Sequence, residues 1–289
     1  MPDSRSDSEM NYDFTVITPC YNAERYIAET MLSVLNNSVF TTGKATLEYI
    51  IQDGASVDGT LDIIRDISQN IDNKNISIKI YSEKDSGIYQ ALSRALTKVN
   101  GHICSYINAG DYYSFHAFEI VKQVFADNGI KWLTGLKVLY NDKSHVVHVS
   151  LPYRYRGSLI RKGAYGKLLP LIQQESTFWI NSLNDFLDMD YLASLEFAGD
   201  YYLWREFSRH EDLKIVEAWL GGFKFHPGQI SEARAEYLGE LKRLSEKMTV
   251  FDYLLSLVDL VLWGTPSQVK KYCNPSGLYV YDHKEERYI

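Results

Sequence analysis

Residues 76–111 read ISIKIYSEKDSGIYQALSRALTKVNGHICSYINAGD. Ile76, Ile78 and Ile80 alternate with polar neighbours, the period of a half-buried strand. Ser86 then opens a stretch in which Ile88, Ala91, Leu92, Ala95, Leu96 and Val99 recur at helical spacing and form one apolar face. Gly101 ends that helix, and His102–Ile107 is again strand-like. Strand, helix and strand in direct succession, each strand running into a polar loop, describe a βαβ unit and therefore a parallel sheet.

The same alternation extends toward the N-terminus. Phe14–Thr18 reads as a short apolar strand, and Asn22 as the cap of a helix with Ile27, Met31, Val34 and Leu35 on one face. Leu47–Ile51 is a second strand, ending at Asp53, and Asp58 caps a helix carrying Leu61, Ile64 and Ile67. Beyond residue 115 the alternation weakens. Lys131–Tyr140 and His145–Val149 read as antiparallel strands, residues 153–167 as an irregular, basic, tyrosine-rich segment, and the surroundings of Asp200 as helix. The division expected is a disordered leader (1–11), an α/β domain (12–231) and a helical C-terminal extension (232–289).

The 289 residues carry a formal net charge of −7, so indiscriminate nucleic-acid binding is not expected, and an anionic partner must be met by a local basic patch. Cys20, Cys104 and Cys273 are odd in number and widely spaced. They argue against a disulfide framework or a structural zinc site and for a reducing, cytoplasmic setting. The N-terminus has no apolar signal-peptide core. No run approaches the ~20 apolar residues needed to cross a bilayer.

In open α/β sheets, ligands bind beyond the carboxyl ends of the strands. Asp53, the Glu83–Asp85 segment and Asp111 all follow strands and are expected at one crevice. Taken singly, such an acid can equally cap a helix or form a turn, and Asp58 and Ser86 are read that way.

Seven local motifs resemble those of the family-two glycosyltransferases of GT-A fold. They are TPCYN (18–22), QDGASVDGT (52–60), SEKDSGIYQ (82–90), INAGD (107–111), QQESTFW (173–179), AGDYYLW (198–204) and GGFKFHPGQ (221–229). The resemblance covers roughly residues 13–231 and implies a twisted, mostly parallel sheet flanked by helices. It also implies inverting transfer from a nucleotide-sugar donor, UDP-linked by preference, in surface-polysaccharide assembly. On that resemblance Pro19 and Tyr21 border the nucleobase, Asp53 accepts from it, and Asp85 and Asn108 belong to the donor site. Asp111 faces the diphosphate and a divalent Mn²⁺ or Mg²⁺ ion, and Asp200 is the catalytic base. Glu175 is a candidate for binding an acceptor hydroxyl or for pairing with a base, and His226 for ligating the metal or closing a turn. Asn108 and Gly110 stand where many members carry acids, which leaves Asp111 as the acid of that loop.

A nucleotide-sugar-binding module without activity and a sugar-phosphate nucleotidyltransferase remain as alternatives. The latter requires a Gly-rich, Arg-containing phosphate loop where this chain has TPCYN. The expected partners are the nucleotide-sugar and a glycan or lipid-linked glycan acceptor, and not nucleic acid. Arg154, Arg156, Arg161, Lys162 and Lys167, and the apolar helix Val250–Trp263 with polar positions only at Asp252, Ser256 and Asp259, leave three readings open. They suit contact with the inner face of the membrane, a lid over the donor, or a homodimer interface.

Overall fold

The computed structural model describes residues 11–225, 229 and 233–289. Most of the expected leader and His226 lie outside the described residues.

The first half alternates as its sequence periods require. Strand β1 (Tyr12–Cys20) leads to helices α1 (Ile27–Leu35) and α2 (Ser38–Thr41), then β2 (Leu47–Asp53), α3 (Thr60–Gln69), β3 (Ile76–Ser82), α4 (Ile88–Leu96) and β4 (Gly101–Tyr106). Next come β5 (Tyr112–Tyr113), α5 (Ala117–Asn128), β6 (Trp132–Thr134), β7 (Lys137–Tyr140) and β8 (Val146–Ser150). Two short turns of helix follow, α6 (Gly157–Arg161) and α7 (Ala164–Lys167), then β9 (Phe178–Ile180), α8 (Met189–Ala193), α9 (Gly199–Phe207), β10 (Lys214–Val216) and β11 (Gly221–Lys224). The tail holds α10 (Arg234–Leu244), α11 (Val250–Trp263), α12 (Ser267–Cys273) and β12 (Leu278–Tyr279), and closes with a small hairpin.

Among the described residues the main sheet has the order β12-β10-β6-β9-β4-β1-β2-β3. Every pairing is parallel except those of β9, which runs antiparallel to both β4 and β6. A second sheet, β5-β11-β7-β8, stands over the carboxyl ends of the first. The central β1 is buried from Phe14 to Cys20, whereas β3 is an edge strand, so its isoleucines are half-covered as their alternation predicts.

Several local expectations are corrected. Lys131–Tyr140 is two strands in different sheets, because the chain turns at Gly135 and Leu136. The tail is not helical throughout: after α12 comes β12, which lies parallel to β10 at the edge of the main sheet, and then the closing hairpin, and Leu241, Leu244 and Leu278 enter the main core. The basic segment 153–167 is not a free patch. Arg156 grips the buried Asp259 with both Nε and Nη2 (2.8 and 2.9 Å), and Lys162 reaches Asp252 at 2.7 Å. Arg154 bonds Asn274 Oδ1 and the Cys273 carbonyl, Arg161 the Ser208 carbonyl, and Lys167 the Ser245 hydroxyl. Arg154, Arg156, Lys162 and Lys167 tie the segment to the tail and Arg161 ties it to the end of α9, with Lys167 still exposed.

Removing one partner of a buried ion pair strands the other. Asp259→Ala is therefore expected to lower unfolding free energy in urea by about 3 kcal/mol, the low end for a buried pair because Arg156 is partly exposed. The double variant Arg156→Met/Asp259→Leu should recover most of that. A single variant as stable as the wild type would show that the pair does not anchor the tail.

Candidate active site

One wall of the candidate site rests on three flush strand ends. Cys20 pairs with Asp53 and Asp53 with Ser82, so β1, β2 and β3 deliver their following loops at one level. Asp53 is fully buried. Its Oδ2 accepts from the Ser56 backbone N–H (3.0 Å) and the Ser82 hydroxyl (2.7 Å), and its Oδ1 accepts from the Ser56 hydroxyl. The Cys20 thiol donates to the same Oδ1 at 3.9 Å, so all of the carboxylate's about four lone-pair sites are met within the protein.

These bonds fix the turn in which Ala55 adopts φ 63°, and the turn is laced to the loop after β1. The Asn22 N–H donates to Ser56 Oγ (2.8 Å), and Asn22 Oδ1 accepts from the Val57 N–H (3.0 Å). Asn22 itself takes φ 48°, a region that Asn tolerates better than most residues. It is therefore a turn residue and not the cap of α1, which begins after Tyr26 without a side-chain cap. Asp58 does serve the start of α3, accepting from the Thr60 N–H at 3.0 Å. Tyr21 stands 61% exposed on this ledge, while Pro19 is buried within β1. Gly54 lies close against Asp85. A Cβ at that position would meet the Asp85 carboxylate at 2.8 Å, so Asp53 and Asp85 share one small volume. Burial raises the Asp85 carboxyl, and the charge of Asp53 adds to that.

The loop after β4 supplies the middle of the crevice. Thr30 Oγ1 donates to the Asp111 carbonyl (3.0 Å) and accepts from the Gly110 N–H (2.8 Å). The Asp111 N–H closes onto the Asn108 carbonyl at 3.1 Å. Asp111 is buried, its Oδ1 accepting from the Lys224 N–H at 2.9 Å. Burial and the charge of Glu175 push its carboxyl well above the ordinary range. The Lys224 ammonium, itself buried, bonds Glu29 (3.0 Å) and the Tyr112 hydroxyl. Asn108 Oδ1 is buried without a partner. Asp111 and this orphaned oxygen are hard oxygen donors of the kind that Mg²⁺ and Mn²⁺ accept. No group of three or more His, Cys, Asp or Glu among the described residues could hold a metal ion, so a cation here depends on ligand oxygens for the rest of its shell.

The candidate residues Glu175 and Asp200 are carried by the surroundings of β9, β11 and α9. Glu175 precedes β9, and a Cβ on Gly221 would strike its carbonyl at 2.0 Å, so only glycine lets β11 pass. Burial lifts the Glu175 carboxyl to about 7, and the charge of Asp200 contributes to the rise. Asp200 lies in the first turn of α9, where its Oδ1 accepts from the Tyr201 N–H (2.7 Å) and its carboxylate meets Tyr237. Burial raises it to about 6. Asp200 thus occupies the favourable end of the helix dipole and also faces a pocket lined by Ile160, Tyr165, Leu171, Ile172, Tyr201, Trp204 and Tyr237. Asp111 thus feels the charge of Glu175, and Glu175 that of Asp200, although the three lie far apart in sequence.

Two residues of this site escaped the sequence reading. Glu240 is buried, and its carboxylate accepts from the backbone N–H groups of Phe197 (2.8 Å) and Ala198 (2.6 Å), which cap α9. Tyr237, one turn earlier on α10, bonds Asp200. Their signal was the helical spacing that puts Tyr237, Glu240, Leu241 and Leu244 on one face. Lys224 sits inside a quoted motif but was passed over.

With this geometry in place, comparison with known proteins agrees. The family model Glycosyl transferase family 2 matches residues 15–179. A Bacillus subtilis protein named as the teichuronic acid biosynthesis glycosyltransferase TuaG is 29% identical over 59% of this chain and 66% of its own length. The minor teichoic acid biosynthesis protein GgaB of the same organism is 26% identical over 80% of this chain, which spans only 23% of that relative. The Escherichia coli UDP-Glc:α-D-GlcNAc-diphosphoundecaprenol β-1,3-glucosyltransferase WfgD is 24% identical, over 81% of this chain and 84% of its own. Among solved structures, S. aureus TarS in complex with UDP-GlcNAc superposes with a TM-score of 0.57 at 16% identity, covering 89% of this chain and 82% of that one. The mannosyltransferase PcManGT of Pyrobaculum calidifontis, with GDP-Man and Mn²⁺, gives 0.56 at 15%, covering 94% and 81%. The fold is GT-A.

Raised carboxyls are stability statements. The folded-state value of Asp200, about 6, lies above its ordinary 3.8, so the folded protein keeps a proton that the unfolded chain releases. The stability this adds is complete below about pH 4 and is lost as pH rises through about 6. Asp200→Asn should therefore be the more stable protein at pH 7.5, by on the order of 1 kcal/mol once the cleft exposure of the carboxyl is discounted. The advantage should vanish near pH 3.5. Urea titrations giving the same difference at both pH values would contradict the assignment.

Proposed function

Because the chain belongs to glycosyl transferase family 2, we propose that it transfers a sugar from a uridine-diphosphate donor to a hydroxyl of a glycan or lipid-linked glycan. Surface-polysaccharide assembly is the setting. One observation carries this reading: Asp200, its carboxyl lifted to about 6 by burial, is electrostatically linked to the buried Glu175, which in turn acts on Asp111. A base with that value is largely ionised at pH 7 and still strong enough to take a proton.

In the proposed reaction the ledge holds the nucleoside. Tyr21 presents a ring face for the base, and Asp53 accepts the uracil N3–H in place of the weak bond from the Cys20 thiol. Asp85 lies beside them on the donor. The acceptor stays outside the pocket beside Tyr165 and Trp204, which is of water size, and presents one hydroxyl to Asp200. Its hydroxyl proton passes to Asp200 as the oxygen forms a bond to the anomeric carbon, and the bond from that carbon to the diphosphate oxygen breaks. Attack from the face opposite the leaving group inverts the centre. Asp111 and Asn108 Oδ1 would hold a Mn²⁺ or Mg²⁺ ion, which when bound supplies positive charge to the diphosphate. The buried Lys224 lies beside the same loop. WfgD, named for a diphosphoundecaprenol-linked substrate, and the UDP-GlcNAc bound in TarS support the choice of donor and acceptor class. A cytoplasmic enzyme working at the inner membrane face follows from that choice.

General-base catalysis contributes about 10²–10⁴-fold. Asp200→Asn should lose that much in kcat for transfer to a glycan acceptor while its affinity for UDP, measured calorimetrically, stays within about twofold. Undiminished turnover would remove Asp200 from the base role. Wild-type protein that binds UDP but neither transfers nor slowly hydrolyses the donor would be a binding module.

A further inference from the structure

Helix α11 is built with its polarity reversed. Asp252, Ser256 and Asp259, spaced i, i+4 and i+7, share one face, and that face is the buried one. Asp252 forms a capping box with Thr249, and the Lys162 ammonium holds its carboxyl down at about 2. Ser256 Oγ donates to the Asp252 carbonyl at 2.7 Å, and Asp259, fully buried, is clamped by Arg156.

The apolar residues are left outside. Val250, Phe251, Leu254, Leu257, Val258 and Val261 are between 54% and 78% exposed. Together they present on the order of 700 Å² of apolar surface, above the ~300–600 Å² of a typical monomer's largest patch. The ion pairs fix this orientation, since turning the helix over would bury the leucines only by breaking two buried salt bridges.

We propose that the outward face of α11 docks the protein onto an anionic lipid surface, lying in the interface without crossing it. No helix among the described residues is long and apolar enough to span a bilayer. Charge selects the occupant. From α10's last turn to α12 the exposed charged residues are Lys242, Arg243, Lys247 and Lys271 against Glu246, a cationic stretch in a chain of net charge −7. An apolar helix face flanked by cations is the pattern of an interfacial helix. A second copy docked on the same patch would set those cations against themselves, because a two-fold interface pairs a surface with its own image. Tyr272, 87% exposed beside Lys271, adds an aromatic suited to the headgroup layer. The placement serves the site, because the segment that α11 grips through Arg156 and Lys162 also contributes Ile160 and Tyr165 to the pocket at Asp200. In its purpose, though not in its geometry, the inference rests on the lipid-linked acceptor reading.

The test is flotation of the full chain with vesicles of phosphatidylcholine alone or mixed with phosphatidylglycerol, together with transfer to a water-soluble glycan acceptor. The protein should float with the anionic vesicles at low salt. Leu254→Ser/Leu257→Ser/Val261→Ser, which alters only exposed positions, should keep its circular dichroism and thermal midpoint and partition at least tenfold less. Lys247→Gln/Lys271→Gln should lose about fivefold per cation on anionic vesicles and change little on neutral ones. Protein that stays in the soluble fraction overturns the proposal, as does a triple variant that floats like the wild type. A dimer that the triple variant dissociates, in protein that does not float, assigns the face to a second copy instead. Transfer without flotation defeats the docking surface and spares the transferase reading, whereas flotation without transfer does the reverse.

Discussion

The flush register of β1, β2 and β3 is the constraint on which the site depends. Parallel strands that end level release their loops on the same side of the sheet, and the loops then brace one another. Cys20, Asp53 and Ser82 lie in one row, which lets a single buried carboxylate tie the turn at Ser56 to the strand at Ser82. From this row follow the positive-φ backbones of Asn22 and Ala55 and the nearness of Asp85 to Gly54. A one-residue slip of β2 would turn Asp53 to the other face of the sheet and dissolve the ledge as a whole.

The other wall is organised from outside the segment that the family model covers. β11 passes Glu175 only because Gly221 has no side chain, while α9 is held at its N-terminus by Glu240 and at Asp200 by Tyr237. The tail is therefore part of the machinery. It caps the helix that carries the proposed base, and through Asp252 and Asp259 it holds the segment that lines the pocket.

What could be read from the sequence was whatever has a short period or a local motif. The alternation in 76–82 and the helical spacing in 88–99 reproduce β3 and α4, and of the strand-end acids Asp53 and Asp85 do lie side by side. What could not be read depends on partners distant in the chain. The polar stripe of α11 was visible as a stripe, but its inward orientation follows from Arg156 and Lys162 roughly a hundred residues earlier. The basic segment looked like a free patch because its acids lie in the tail. Asn22 looked like a cap because a cap and a left-handed turn favour the same residue type, and only the contact with Ser56 and Val57 separates them. Glu240 and Tyr237 lie on a helix that carries no motif.

The reversed helix also limits how such proteins can be recombined. A tail grafted from a relative brings its own acids but finds the recipient's cations, and Asp252 and Asp259 are tolerable when buried only because Lys162 and Arg156 meet them. Segment 153–167 and helix 250–263 must therefore travel together as one cassette in any chimera. An exchange made at a junction between them would leave unpaired charge in the interior.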